Sequence, residues 1–323
     1  MTPEDIAIAK QNIKIQTFVA VVSVALFSLK FIAWYMTHSL AVYTDMMESI
    51  VNILAAFFGL SSLYFSAQPR DKKHPYGHGK VEFVSAAVEG AFITLAGVFI
   101  ISKIFTSFKN GPQPINSLDI GILLIIVTAI VNYFVGYICI RKGRANQSLA
   151  LVASGKHLQV DTYSTMAIII GLILVYFTHY IILDAITAAI CACYIIYSGI
   201  KIVREAFAGI VDEYDPNLVA EVVDYLNHHR EPNWIDLHNL RIIKYGRILH
   251  FDAHMTVPAE LTVRQAHDEL KKIEKIMQQK YGNSIEMFIH LDPSIEGFDL
   301  SRHVQKPWTV EEVTRRHGLF RPQ

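Results

Sequence analysis

"TDMMESIVNIL", residues 44–54, lies inside an apolar run from about 39 to 66, yet it carries Asp45, Glu48 and Asn52. The run decides the fold class, because roughly 20 apolar residues span the hydrocarbon core of a bilayer. Ionisable groups at such depth are expensive and mark ion or proton pathways by default. On an α-helix, positions 45, 48 and 52 advance by about 300° and then about 400°, so the three polar side chains share one face.

Five further runs of this length flank it. The six occupy about 15–36, 39–66, 81–108, 117–140, 148–177 and 180–203, and only "THYIILD" separates the fifth from the sixth. The 323 residues are 52% hydrophobic and mean hydropathy is +0.31, too apolar for a soluble domain of this size. The net charge is zero, but charges crowd after about residue 200, so a membrane part precedes a soluble part. Lysine and arginine set the orientation. The segments "QPRDKKHPYGHGK" and "RKGRANQ" are basic, Lys10 and Lys14 precede the first run, and the connections 1–2 and 5–6 carry no Lys or Arg. Both termini are therefore expected in the cytoplasm, in agreement with an even number of spans. The polar start "MTPEDIAIAKQNIKIQ" is too long for a signal peptide. Without an organellar transit signature, the expected location is a bacterial inner (cell) membrane. Cys139, Cys191 and Cys193 have no metal-site or disulfide spacing and read as small core residues.

From about residue 210 the pattern changes. "PNLVAEVVDYLNHH" reads as an amphipathic helix, and "HNLRIIKYG" and "ILHFDAHMTV" as strands joined by a glycine-containing turn. "TVRQAHDELKKIEKIMQQKYG" has a Thr cap, helical periodicity and a Gly stop, and "SIEMFIHLDP" closes as a strand. The expected organisation is a six-helix transmembrane domain over 1–208, a cytoplasmic α+β domain over 209–296 and a tail over 297–323. The tail is charged and irregular, with a short helix at "TVEEVTRRH" and no assigned role.

A second polar pair matches the first. In the fifth run, "HLQVD" places His157 and Asp161 four apart on one helix face. Counted from opposite membrane surfaces at 1.5 Å per residue, Glu48–Asn52 and His157–Asp161 both fall roughly 14 to 21 Å in, near the midplane. Two i, i+4 pairs supply four donors suited to a tetrahedral divalent cation, with two carboxylates balancing its charge. The bland alternative is a set of interhelical hydrogen bonds. Asp45 either joins the site, helps loading from outside or caps a buried bond. Lys30 and Glu89 read as a structural or gating pair, and Lys156 has no assigned role.

These residues resemble the cation diffusion facilitator family of divalent-metal/proton antiporters over about residues 10–295. The resemblance rests on "SLAVYTDMMESIVN", "HPYGHGKVE", "HLQVD" and a histidine-bearing C-terminal domain. It implies a transmembrane transport site at Glu48, Asn52, His157 and Asp161. The family usually has His or Asp and then Asp in the second span, so Glu48 and Asn52 depart from its pattern. One imidazole among oxygens is a harder donor set, which brings iron(II) and manganese(II) beside zinc(II). The resemblance further implies a cytoplasmic-loop metal site at Asp71, His74 and His78, whose bland alternative is a basic anchoring loop turned by Pro75 and Gly77. It also implies a C-terminal site at His238, His254, His267, His290 and Asp292, with Asp292 bridging two ions. His250 and Asp252 read as surface residues. A Lys80–Asp212 charge pair is expected to knit the two domains. The C-terminal domain is expected to be ferredoxin-like, or metallochaperone-like, and to form a homodimer that bound metal stiffens.

The implied mechanism is alternating access. Metal binds the deprotonated site from the cytoplasm, and protons displace it outside, since neutral imidazole exchanges metal for proton around physiological pH. Membrane lipid surrounds the carrier, and no nucleic-acid partner is expected. The absence of a nucleophile or an HExxH motif argues against an enzyme, the less favoured reading being an intramembrane metallohydrolase. A membrane metal sensor that binds without transport is the other alternative.

Overall fold

A computed structural model describes residues 3–37, 40–110, 118–178, 180, 182–246, 248–282, 284–295 and 306–315. The chain divides into two compact units, Pro3–Val211 and Asp212–Gln323.

The first unit consists of six long helices: α1 (Pro3–Thr37), α2 (Leu40–Ser66), α3 (Val81–Asn110), α4 (Leu118–Ala145), α5 (Leu149–Thr178) and α6 (Ile182–Ile210). Among the described residues, four stretches are long and apolar enough to cross a membrane: Ile6–Ile32, Ser49–Ser66, Val81–Thr106 and Ile126–Ala145. Polarity is inverted relative to a soluble bundle. Phe18, Val21, Leu95, Phe134 and Ile190 face outward, whereas Gln16, Ser23, Asn52, Glu89, Ser154, His157 and Asp161 are buried. Lipid rewards such an arrangement, because tails solvate apolar side chains and polar groups must find partners inside. Cys139 follows the expected burial, but Cys193 is exposed on α6.

Helices α1 with α2, α3 with α6, and α4 with α5 pack as the closest pairs. Small residues let their backbones approach. A Cβ on Gly199 of α6 would lie 2.4 Å from Thr94 Oγ1 and 2.8 Å from the Gly90 carbonyl of α3. A Cβ on Gly136 of α4 would lie 2.8 Å from the Gly155 carbonyl of α5. Helix α5 also meets α2, α3 and α6, so its polar face is enclosed. Lys156 on that helix finds Glu205 of α6 at 3.7 Å.

The second unit comprises α7 (Pro216–His228), β1 (Asp236–Tyr245), β2 (Ile248–Val257), α8 (Val263–Tyr281), β3 (Ile285–Pro293) and a short α9 (Val310–Thr314). Asp215 caps α7 by accepting from the backbone N–H groups of Asn217 and Leu218, with Pro216 in the first turn. Thr262 and Gln265 form a capping box on α8, and Gly282 ends that helix at φ 66°. The sheet order is β1-β2-β3. Strand β1 is antiparallel to β2, and β3 is parallel to it, so α8 makes the crossover a parallel pair requires. Alternation divides the sheet faces: Leu237, Phe251, Ala253 and Met255 join Leu226, Trp234, Ile273 and Met277 in one core. The neighbouring positions His238, His254, His290 and Asp292 alternate with them and lie on the other face.

Two expectations change here. His250 is 6% exposed rather than a surface residue. It stacks on Phe288 with centroids 6.1 Å apart, meets the Tyr245 ring edge-on at 4.8 Å, and lies 3.2 Å from Glu286 Oε2. The tail also has a structural place. Trp308 and Val313 are buried in the core, the Arg230 guanidinium covers the Trp308 ring at 4.1 Å, and Asn227 exchanges two hydrogen bonds with the Trp308 backbone. The Arg315 carbonyl then accepts from the N–H of Asn239 at a bulge in β1, covering part of an exposed sheet edge.

Candidate metal centres

Helices α2 and α5 bring Asn52, His157 and Asp161 into contact, at 7%, 5% and 8% exposure. Asn52 Nδ2 donates to Asp161 Oδ2, and Asn52 Oδ1 lies 2.7 Å from His157 Nε2. An amide oxygen only accepts, so the ring nitrogen facing it carries the hydrogen. One imidazole nitrogen, one amide oxygen and one carboxylate are thus gathered at a single level. These donors suit a divalent cation that displaces the hydrogen bonds among them. The side chains of Asp45 and Glu48 lie outside the described residues.

Glu89 on α3 has a different neighbour from the one expected. It accepts from Ser154 Oγ at 2.8 Å, and Ser154 in turn accepts from Gln16 Nε2 at 3.0 Å. Lys30 is 14 positions beyond Gln16, about 21 Å along the same helix, so Lys30 and Glu89 occupy different depths and do not pair. Gln16 and Ser154 were not singled out from sequence; Ser154, one turn before His157, was the available signal.

In the loop between α2 and α3, Asp71 Oδ1 lies 3.1 Å from His74 Nδ1, and His78 Nε2 lies 3.0 Å from the same nitrogen. His78 Nε2 is also 3.6 Å from Asp71 Oδ2. Gly77, at φ 92°, supports the turn, and its N–H donates to the His74 carbonyl. The backbone N–H and then the ring of His74, with help from Lys73, hold the Asp71 carboxyl below its usual range. The histidine Nδ1 of residue 78 is buried without a hydrogen-bond partner. Three donors with atoms inside 4.8 Å of one another fit a divalent cation.

On the sheet, register does the gathering. His238 pairs with His254 across β1 and β2, and His254 pairs with His290 across β2 and β3. Asp292 stands between them: its Oδ2 is 3.0 Å from His254 Nδ1 and 3.4 Å from His238 Nε2, and its Oδ1 is 3.4 Å from His290 Nε2. The two carboxylate oxygens therefore address different histidines, an arrangement compatible with bridging. Asp236, absent from the sequence-derived set, lies 3.1 Å from His238 Nδ1. His267 is exposed on α8, which packs on the opposite face through Ile273 and Met277. The structure does not gather it with the others. Among the described residues, the loop trio and His238–His254–Asp292 are the clusters of three or more such donors.

Lys80 donates to the Ile210 carbonyl at 3.4 Å within the first unit. Asp212 opens the second, in a left-handed conformation at φ 57°.

An apolar-surfaced helical bundle with polar donors gathered inside it defines a polytopic membrane protein with a polar site at depth. The family profile for the cation efflux transmembrane domain matches residues 17–211, and that for the cation efflux protein cytoplasmic domain matches residues 214–294. The chain belongs to the cation efflux family, whose members transport divalent cations. It is 28% identical over 271 residues to an uncharacterised transporter of Synechocystis sp., covering 84% of this chain and 87% of that one. It is 29% identical over 276 residues to the cation-efflux pump FieF of Salmonella typhimurium, covering 83% and 88%.

Proposed function

We propose that the protein exports a divalent transition-metal cation, zinc(II), iron(II) or manganese(II), in exchange for protons by alternating access. The observation that carries this reading is the contact of Asn52, His157 and Asp161 between α2 and α5. Glu48, one turn before Asn52, completes the cation's oxygen donors, and Asp45 assists loading. The internal hydrogen bonds hold the metal-free site together. Metal displaces them, and protons restore them once the site faces outward. Both termini face the cytoplasm of a bacterial inner membrane, as the basic loops indicate.

The protein acts as a homodimer through its second unit. The loop trio and the sheet-face histidines bind metal as regulatory ligand, biasing the dimer toward a transport-competent population. Lys80 and Asp212 tie the two domains. The test uses vesicles with an acidic lumen. Metal uptake that falls to the protein-free rate in His157→Ala and Asp161→Ala supports the carrier. Tight binding without flux overturns it in favour of a membrane sensor.

A further inference from the structure

One pocket in the helical unit is lined by Ser23, Asn52, Glu89, Ser154 and His157 and has room for about one water molecule. Three buried polar atoms from these residues have no hydrogen-bond partner: Ser23 Oγ, Glu89 Oε2 and His157 Nδ1. The other ends of the two ionisable groups are engaged, Glu89 Oε1 by Ser154 and His157 Nε2 by Asn52. A buried water commonly makes about three hydrogen bonds to groups of this kind.

The approach depends on Gly59 of α2. A Cβ there would lie 2.8 Å from Glu89 Oε1, 2.7 Å from Gln16 Nε2 and 3.0 Å from Ser154 Oγ. Helices α1, α3 and α5 therefore reach one point beside α2 only because that position has no side chain.

We propose that Glu89 is a positioning residue for the transport site, accepting the Nδ1–H of His157 through a water held in this pocket. Without metal, the imidazole hydrogen sits on Nε2 and is donated to Asn52 Oδ1. A cation coordinating Nε2 requires that nitrogen bare, so the one hydrogen of the neutral ring must reside on Nδ1. Glu89 supplies the acceptor for that tautomer, with Ser23 as the third partner of the water. Metal-binding histidines are typically held in this way by a carboxylate or carbonyl on their second nitrogen. The Ser154–Gln16 pair fixes the Glu89 carboxylate in turn.

The inference rests on the transport-site reading and has its own test. Full-length protein is reconstituted in vesicles and nanodiscs with zinc(II) as the probe. Glu89→Gln keeps the shape and the Ser154 hydrogen bond but replaces the carboxylate oxygen facing the pocket. It is expected to raise KM for zinc uptake about tenfold or more with little change in maximal rate, while Glu89→Asp recovers part of the loss. Ser23→Ala is expected to give a smaller rise. In ¹⁵N-histidine NMR, zinc should move the His157 hydrogen from Nε2 to Nδ1 in the wild type, and less completely in Glu89→Gln.

An unchanged KM together with an unchanged His157 signature in Glu89→Gln overturns the role of Glu89 and leaves the transport site standing. Failure of wild-type vesicles to take up zinc(II), iron(II) or manganese(II) overturns the transport reading instead. The nitrogen signature then decides the role of Glu89 by itself.

Discussion

The helical unit and the sheet unit both gather imidazole and carboxylate, but they do so at different depths of burial. Asn52, His157 and Asp161 are each less than a tenth exposed and already bond one another. On the sheet, His238, Asp292 and His254 are 13%, 20% and 22% exposed, and His290 reaches 68%. Donors in the bundle must break internal hydrogen bonds to take a cation, and they must recover them when it leaves. Such a site is coupled to helix packing. Donors on the sheet are set by strand register and keep partial access to solvent, so a cation can bind there with little rearrangement. The first arrangement suits carriage and the second suits sensing.

The largest effect should fall on the buried side of this comparison. His157→Ala and Asp161→Ala are expected to lower pH-driven metal flux about 100-fold or more, since each removes a donor of the proposed transport site. His254→Ala should lower it less than about tenfold, because it alters only the biasing ligand. Equal losses in the two units, measured as initial uptake rates, would break the division of labour.

Trp308→Ala tests whether the tail belongs to the sheet unit's core. Removing a buried tryptophan is expected to lower that unit's unfolding free energy by about 3 kcal/mol, read by denaturant titration, with transport per folded molecule preserved. A variant as stable as the wild type would reduce the tail to an ornament on the sheet edge.

Asn52→Asp sharpens the metal question. Restoring the second-span carboxylate that cation diffusion facilitators usually carry at this position should shift preference toward zinc(II) over manganese(II) by about tenfold, or about 1.4 kcal/mol. Competitive uptake measures the ratio, and unchanged selectivity would show that the amide does not set it.

The smallest effect concerns pH and the sheet unit alone. Lys306, then the Thr309 backbone, pull the Glu312 carboxyl down to about 2. A depressed folded pKa means this contribution is fully present above the usual glutamate range. It is lost as pH falls from about 4.3 toward about 2. Because Lys306 is largely exposed, the effect should stay under about 1 kcal/mol. Tryptophan fluorescence during acid titration should show the tail loosening at higher pH in Glu312→Gln, with transport at neutral pH unchanged.

Much of the fold was legible residue by residue. The apolar runs anticipated all six long helices, but several helices extend past them, α1 beginning at Pro3 and α4 and α6 ending at Ala145 and Ile210, because a helix can continue beyond the bilayer without apolar residues. Amphipathic periodicity carried α7, and the cap at Thr262 and the stop at Gly282 carried α8. Alternation carried the strands, and the depth count placed Asn52 beside His157. The tail was missed because one tryptophan and one valine five residues apart make no periodic pattern. His250 was misread because its cover comes from rings on other parts of the sheet. Pairing Lys30 with Glu89 considered charge without comparing their depths along the bundle.

Sequence by itself determined the membrane-spanning class, the helix–sheet division and the residue types available for metal chemistry. These follow from hydrophobic length, periodicity and local capping, all properties of neighbouring residues. Only tertiary structure decided which donors meet. Asn52 touches His157 and Asp161 because α2 packs on α5. Glu89 finds Ser154 because Gly59 lets three helices converge, and α8 carries His267 on the side opposite the other histidines. Contacts between residues about a hundred positions apart depend on the rotation of one helix against another, which the packing of every side chain between them sets.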